Sequence, residues 1–365
     1  MLSFSRIKIN QLALTAIKPR FYYFDALRAM AIVAVILLHN AADQADLYGK
    51  IPEATWIPAC FYYGLTRFCV PMFVLLSGAL LLKRGREITI RELLSKRLPK
   101  LVIPLVTWSF IYMVYAYFTN AFGGKLDVLG LLKSFYNGPI VYHFWFLYML
   151  IGIYLVSPII NLFINSAGEI YIKYFLCVWF IANSFFAIID TAFEFPFGVD
   201  FSGFTGYVGY FVLGYYLQNF DFNKRMLTLL YWASILAFIA SVAGIILLHT
   251  GHAKHAADII ESDFTPEMPF AIAGLFLWMK NYSDNHPSRN GLWARIVTEI
   301  SKESYGIYIV HVLIVRILLR QAWYNAHILN MDIIYGAPIK VLIIFVLSYL
   351  LVRLVRLLPL SGYII

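Results

Sequence analysis

Seven stretches of this chain are apolar for close to the ~20 residues that a helix needs to cross a bilayer, at about 21–40, 59–82, 101–119, 141–163, 172–190, 226–248 and 333–358. Three shorter or interrupted runs, 204–218, 267–282 and 305–320, bring the set to ten. Composition agrees, since 61% of the 365 residues are hydrophobic and only 13% are charged, about half the charged fraction of a soluble domain. The expected fold class is an all-α integral membrane protein, a bundle of about ten transmembrane helices. Residues 21–358 form its single membrane domain, between a lead-in at 1–20 and a short tail at 359–365.

The net charge of +9 is explained by topology and does not call for nucleic acid, because membrane proteins gather Lys and Arg on their cytoplasmic loops. With ten spans and the N-terminus inside, 20 Lys and Arg fall on cytoplasmic segments and six outside, leaving Arg28, Arg67 and Arg316 within spans. Both termini are then expected to be cytoplasmic. The first twenty residues are basic but lack a continuous apolar core and a cleavage site, so they read as a cytoplasmic lead-in and not as a signal peptide. Cys60, Cys69 and Cys177 form no C-x-x-C pair, and neither a disulfide framework nor a zinc site is indicated. The outer segments are short and acidic, with no room for a second enzyme domain, so any chemistry belongs to the bundle.

Polar residues inside the spans are the candidates for that chemistry, because ionisable groups in lipid are costly and face protein or a water-filled cavity. The stretch from Asp25 to Asn40 carries Arg28 and His39 with ten residues between them, which places them within roughly 20° of one helical face and about 16 Å apart. Asp25, three residues before Arg28, is close enough to pair with it. Arg67, His143, His311 and Arg316 occupy the middle and one half of other spans. A histidine suits removal of a proton from a hydroxyl near neutral pH, and an arginine holds a carboxylate or phosphate or orients a neighbour. Ser77, beside Gly78, could be a nucleophile, but a Ser-Gly pair in a membrane helix more often permits close packing. The inner loop at 83–100 has seven positive residues; topology explains most of them, yet Lys96, Arg97 and Lys100, directly before the third span, would also suit a polyphosphate ligand. His249, His252 and His255 are spaced by three, which drifts by about 60° per step around a helix, so they do not converge on one metal ion.

Several segments together resemble membrane acyltransferase family 3. FDALRAMAIVAVILLH resembles its opening Arg-x10-His span, and TRFCVPMFVLLSGALLL its second. KRLPKLVIP resembles the basic inner loop entering the third span, and HFWFLYMLIGIYLVSPII the His-x-Trp-Phe segment. YFVLGYYL resembles the Tyr-Phe-x-x-Gly-Tyr segment, and SYGIYIVHVLI the late Ser-x-Gly-Ile-Tyr-x-x-His span. The matches run in order over roughly 21–320. Nearest in character are short single-module members that O-acetylate bacterial surface sugars, such as the enterobacterial common antigen O-acetyltransferases.

The resemblance implies transfer of an acyl group, usually acetyl from acetyl-CoA, to a carbohydrate hydroxyl at the bacterial cytoplasmic membrane. It places His39 and Arg28 at the family's essential pair, with Asp25, Arg67, His143, Trp145, Tyr308 and His311 in support. Lys96, Arg97 and Lys100 would meet the acyl-CoA, and no metal is implied. The inner loop departs from many members in having Lys-Arg-Leu-Pro-Lys instead of a fuller run of arginines. A secondary transporter or polysaccharide exporter is the rival reading, because ten spans with buried Arg and His also describe ion-coupled permeases. It lacks the matching pair of Gly- or Pro-broken spans that such proteins carry.

Overall fold

The computed structural model describes residues 21–119, 135–185, 189, 206–251, 260–286, 291–359 and 361–365. Among these residues the regular structure is all helical. The main helices are α1 (Tyr22–Ala45), α2 (Glu53–Thr66), α3 (Cys69–Leu81), α4 (Pro99–Phe118), α5 (Trp145–Ser166) and α6 (Glu169–Phe180). They continue with α7 (Val208–Asn219), α8 (Lys224–Thr250), α9 (Glu267–Asn285), α10 (Leu292–Leu318) and α11 (Ile333–Val355). The first of them, α1, is the hub, packing against α2, α3, α9, α10 and α11.

Among the described residues, six continuous helical stretches are long and apolar enough to cross a membrane: Tyr22–Ala45, Glu53–Leu81, Ile90–Phe118, Tyr142–Ser166, Lys224–Thr250 and Ile333–Val355. A seventh is reached if Leu292–Leu318 and Ala322–Leu329, bent by 87° at their junction, count as one span. The expected count of ten is therefore not met among these residues, and the cytoplasmic placement of both termini, which is counted on ten spans, loses that support. The runs at 172–190, 204–218 and 267–282 account for the difference. The 12 residues of α7 cover about 18 Å, well short of the ~30 Å hydrocarbon core. Helix α6 is equally short, although the backbone continues as a π-helical turn over Ile181–Phe185. Helix α9 has 19 residues, but its last turns are polar, from Lys280 to Asn285. The weak run at 305–320 belongs to the 27-residue α10, whose first half carries Arg295, Glu299, Lys302 and Glu303. Three of those charges are paired, Lys302 with Glu299 at 3.1 Å within α10, Glu299 with Arg353 at 2.9 Å and Glu303 with Arg356 at 2.5 Å, and the last two pairs tie α10 to the end of α11.

Prolines interrupt several of these helices, and the carbonyl four residues earlier then lacks its N–H partner. In lipid that carbonyl needs another donor. Pro158 frees the Tyr154 carbonyl, which accepts from the Ser157 hydroxyl at 2.7 Å. Pro104 frees the Lys100 carbonyl, which accepts from Tyr305 of α10 at 3.2 Å. Pro338 frees the Ile334 carbonyl, which accepts from Tyr62 of α2 at 2.7 Å. Pro71 cannot donate to Arg67, and the helical ladder breaks between α2 and α3 at that point.

Gly78 fits the packing reading, whereas Ser77 donates its hydroxyl to the Phe73 carbonyl at 2.8 Å. A Cβ on Gly78 would lie 1.8 Å from the Phe211 carbonyl oxygen, and one on Gly214 would lie 1.9 Å from that of Leu75, so α3 and α7 meet backbone to backbone. Residues 361–365 of the tail are docked, with the Trp108 indole donating to the Ile364 carbonyl at 2.9 Å.

Replacing Tyr62 by Phe should lower stability in detergent by about 0.6–1.7 kcal/mol. The same change should matter less in a Pro338→Ala background, where the helix takes back its own carbonyl; equal losses in both backgrounds would disprove the link.

Candidate active site

Helix α1 serves two cavities. Arg28, half-buried near its start, lines a cavity of about 400 Å³ together with Ser77, Leu101, Tyr154, Ser301 and Lys302. His39, near its other end, lines a cavity of about 320 Å³ together with Arg67, His143, Trp145, Tyr207 and Asp263. Phe146 and Tyr308 line both. Their rings meet edge to face with centroids 5.3 Å apart, so two aromatic side chains form the partition between the cavities.

Three histidines from three elements converge on the His39 side. The His39 ring stacks on His311 with centroids 5.4 Å apart and planes 18° apart, and His143 meets His311 edge-on at 5.0 Å. A 3₁₀ turn at Tyr142–Phe144, just before α5, turns His143 inward, and its ring is 1% exposed. In the neutral imidazole a ring nitrogen that faces a carbonyl carries the hydrogen and the other nitrogen holds the lone pair. His143 Nε2 lies 3.3 Å from the Ile309 carbonyl, so Nε2 donates and Nδ1 keeps its lone pair. His311 Nδ1 lies 2.6 Å from the Tyr308 carbonyl, so Nδ1 donates and Nε2 keeps its lone pair. Both lone-pair nitrogens are buried with no hydrogen-bond partner among the described residues. The Tyr308 hydroxyl donates to the His143 carbonyl, so α10 holds the His143 turn from two places.

The remaining polar groups are fastened inside the protein. Asp25, 3% exposed, accepts from Ser301 at 2.7 Å and from Thr298 at 3.5 Å, joining α1 to α10. The Arg67 guanidinium donates to Ser241 at 2.8 Å, to Thr265 at 3.3 Å and to the Ser262 carbonyl, and pairs with Glu267 at 3.4 Å. Arg67 thus anchors α8 and the segment entering α9, with only Nε lacking a partner among the described residues. Arg316 lies over the Tyr112 ring at 5.7 Å.

The basic segment is only partly engaged with the Arg28 cavity. Arg97 is paired with Glu92 at 2.7 Å. Lys96 and Lys100 are exposed, and the chain enters the cavity wall at Leu101, next to the Lys100 carbonyl that Tyr305 holds. A cation that the sequence reading counted only as topology, Lys302, lines the cavity itself.

On the His39 side the reading missed Tyr207 and Asp263. The Tyr207 hydroxyl donates to Asp263 Oδ2 at 2.6 Å, and Tyr210 donates to the Asp263 backbone carbonyl. Burial pushes the Asp263 carboxyl above its ordinary range, against the opposing effects of the Tyr207 hydrogen bond and the Arg67 charge. The signal available in sequence was proximity: Tyr207 lies three residues before the first Tyr of the Tyr-Phe-x-x-Gly-Tyr segment, and Asp263 three residues before Pro266 at the head of α9. Among the described residues no group of three or more His, Cys, Asp or Glu is placed to hold a metal ion. His249 lies 3.5 Å from Glu261, while His252 and His255 fall outside the described residues.

A family model described as an acyltransferase domain matches residues 21–355. The chain belongs to this acyltransferase family. The match spans every main helix from α1 to α11, so both cavities and their shared wall lie within the family domain. No match to a curated protein or to a solved structure was found.

Replacing Arg67 by Leu should lower stability by about 3–5 kcal/mol, because it leaves Glu267 without its charge partner. Arg67→Lys, which keeps the charge but loses the fork, should fall between. Thermal unfolding in detergent reads both, and a near-neutral Arg67→Leu would show that the anchor is dispensable.

Proposed function

We propose that this acyltransferase moves an acyl group, most simply acetyl, from cytoplasmic acyl-CoA to a hydroxyl of a surface or lipid-linked carbohydrate at the bacterial cytoplasmic membrane. This is the activity of the short surface-glycan O-acetyltransferases that its sequence resembles. The observation that carries the reading is the pair of cavities on α1, with Arg28 in one, His39 in the other, and only Phe146 and Tyr308 shared between them. A donor and an acceptor that approach from different sides of a membrane need such an arrangement.

The Arg28 cavity suits the donor. Arg28 and Lys302 supply positive charge for phosphate, while Ser77, Tyr154 and Ser301 offer hydroxyls to the amides of a pantetheine-like arm, among apolar walls from Phe73, Leu101 and Leu150. Lys96 and Lys100 lie on the segment that enters this wall and would meet the nucleotide end. In this reading the Arg28 end faces the cytoplasm, the side on which Lys and Arg gather in membrane proteins.

His39 then acts as general base. It takes the proton of the acceptor hydroxyl as the hydroxyl oxygen attacks the thioester carbonyl at the Phe146–Tyr308 partition. The new C–O ester bond forms, the C–S bond breaks, and the CoA sulfur leaves with the electron pair and receives the proton. His311, stacked on His39, and His143 orient the base, and both present a lone pair and no N–H on their free nitrogens, which suits a site that receives a proton.

Replacing His39 by Gln should reduce kcat for transfer from labelled acetyl-CoA by about 10²–10⁴-fold, with KM for acetyl-CoA little changed in proteoliposomes. Retained turnover would remove His39 as the base. Arg28→Ala should instead raise the KM for acetyl-CoA by about tenfold or more, the effect of losing one charge-assisted hydrogen bond; an unchanged KM would place the donor elsewhere.

A further inference from the structure

The His39 cavity has a polar wall that the transfer chemistry leaves unused. It is built by Trp145, Tyr207, Glu261 and Asp263. Asp263 is held from two directions, by Tyr207 on its carboxylate and by Tyr210 on its backbone. The Trp145 ring lies against Tyr207 with centroids 5.7 Å apart, and Trp145 remains 38% exposed although it opens an apolar helix. In the same cavity His143 Nδ1 and Arg67 Nε lack partners among the described residues, on side chains that are each 1% exposed. The unpartnered set comprises one acceptor and one donor, beside two carboxylates and two aromatic faces.

We infer that this wall is the acceptor subsite and that it selects an uncharged sugar residue. Trp145 and Tyr207 offer apolar faces with polar edges to the C–H face of the ring. Asp263 and Glu261 accept hydroxyl hydrogens, His143 Nδ1 accepts another, and Arg67 Nε–H donates to a ring or hydroxyl oxygen. A sugar bound in this way presents a hydroxyl to His39 within the same cavity. Charge decides the class. The Arg67 charge is matched by Glu267 at 3.4 Å, so the carboxylates of the wall set the sign of what remains. A uronic acid or another anionic sugar would face those carboxylates, and like charges brought together disfavour binding. The inference rests on acyl transfer to a carbohydrate and adds where the carbohydrate sits and which sugars are refused.

The test uses the full chain in proteoliposomes with acetyl-CoA and three acceptor probes, p-nitrophenyl glucoside, N-acetylglucosaminide and glucuronide. Wild type should acylate at least one neutral glycoside with a kcat/KM about tenfold or more above that for the glucuronide. Tyr207→Phe and Trp145→Leu should each raise the KM for the neutral acceptor by about tenfold, while the KM for acetyl-CoA moves by less than about twofold, a split that general destabilisation does not produce. Equal use of the glucuronide, no acylation of any probe by protein that binds acetyl-CoA, or an acceptor KM within about twofold of wild type in both variants overturns the subsite. The wild-type comparison involves no mutation, so it decides even where a variant fails to insert. Failure of the wild type to bind acetyl-CoA at all overturns the transfer reading itself, and this inference with it.

Discussion

Lipid cannot solvate a polar group, so every polar atom in the bundle has to be satisfied by the protein or by something the protein binds. The structure follows this constraint in detail. Carbonyls released by Pro104, Pro158 and Pro338 are taken by hydroxyls of Tyr305, Ser157 and Tyr62, two of them from a neighbouring helix. Lys280 places its ammonium on the Leu217 and Gln218 carbonyls at the end of α7. Asp25 is taken up by α10, and Arg67 by α8 and the head of α9. Against that thoroughness, the free nitrogens of His143 and His311 stand out, because they are buried and unpartnered beside His39. Other buried atoms also lack partners among the described residues, the Ser109 and Ser348 hydroxyls among them, but the two histidine nitrogens lie together beside His39, where a substrate is expected.

Two helices carry the consequences of this arrangement. Helix α1 reaches both cavities, with Arg28 and His39 at its two ends, and α10 runs beside it with Ser301 and Lys302 at one cavity and His311 at the histidine cluster. Between them Tyr308 does three things: its ring lines both cavities, its hydroxyl holds the His143 turn, and its carbonyl sets the His311 tautomer. The ion pairs from Glu299 and Glu303 to Arg353 and Arg356 fix the other end of α10. The helix that positions the histidines is therefore rigidly seated by contacts that have no part in the chemistry.

Much of the site was legible in the sequence because membrane burial makes polar residues conspicuous. His39, His143, His311 and Arg67 are each isolated in apolar surroundings, and the structure brings all four to one place. The chemistry expected of them divides differently. Arg67, expected to orient substrate charge, directs most of its hydrogen bonds to the protein's own loop. The Lys96–Lys100 segment does not line the Arg28 cavity, whose wall begins at the next residue, Leu101, whereas Lys302, which looked like an ordinary cytoplasmic charge, lies on that wall. Hydropathy also overcounted the spans, since an apolar run such as 204–218 reports burial and not length: α7 is short, and it is buried because Gly78 and Gly214 let α3 approach it closely.

By itself the sequence determined that this chain is a helical membrane protein of the acyltransferase family, and that Arg28 and His39 share a helix face. Composition, the recurrence of apolar runs and ordered local motifs are enough for that, because each depends on residues near one another in the chain. Only the tertiary structure decided that Arg28 and His39 open into different cavities, that Phe146 and Tyr308 stand between them, and that Tyr207 and Asp263 join the histidines. Those facts depend on pairs such as His39 with His311 and Tyr207 with Asp263, separated by tens to hundreds of residues. No local pattern encodes them; they follow from how the helices cross and from which polar atoms remain once the bundle has satisfied the others.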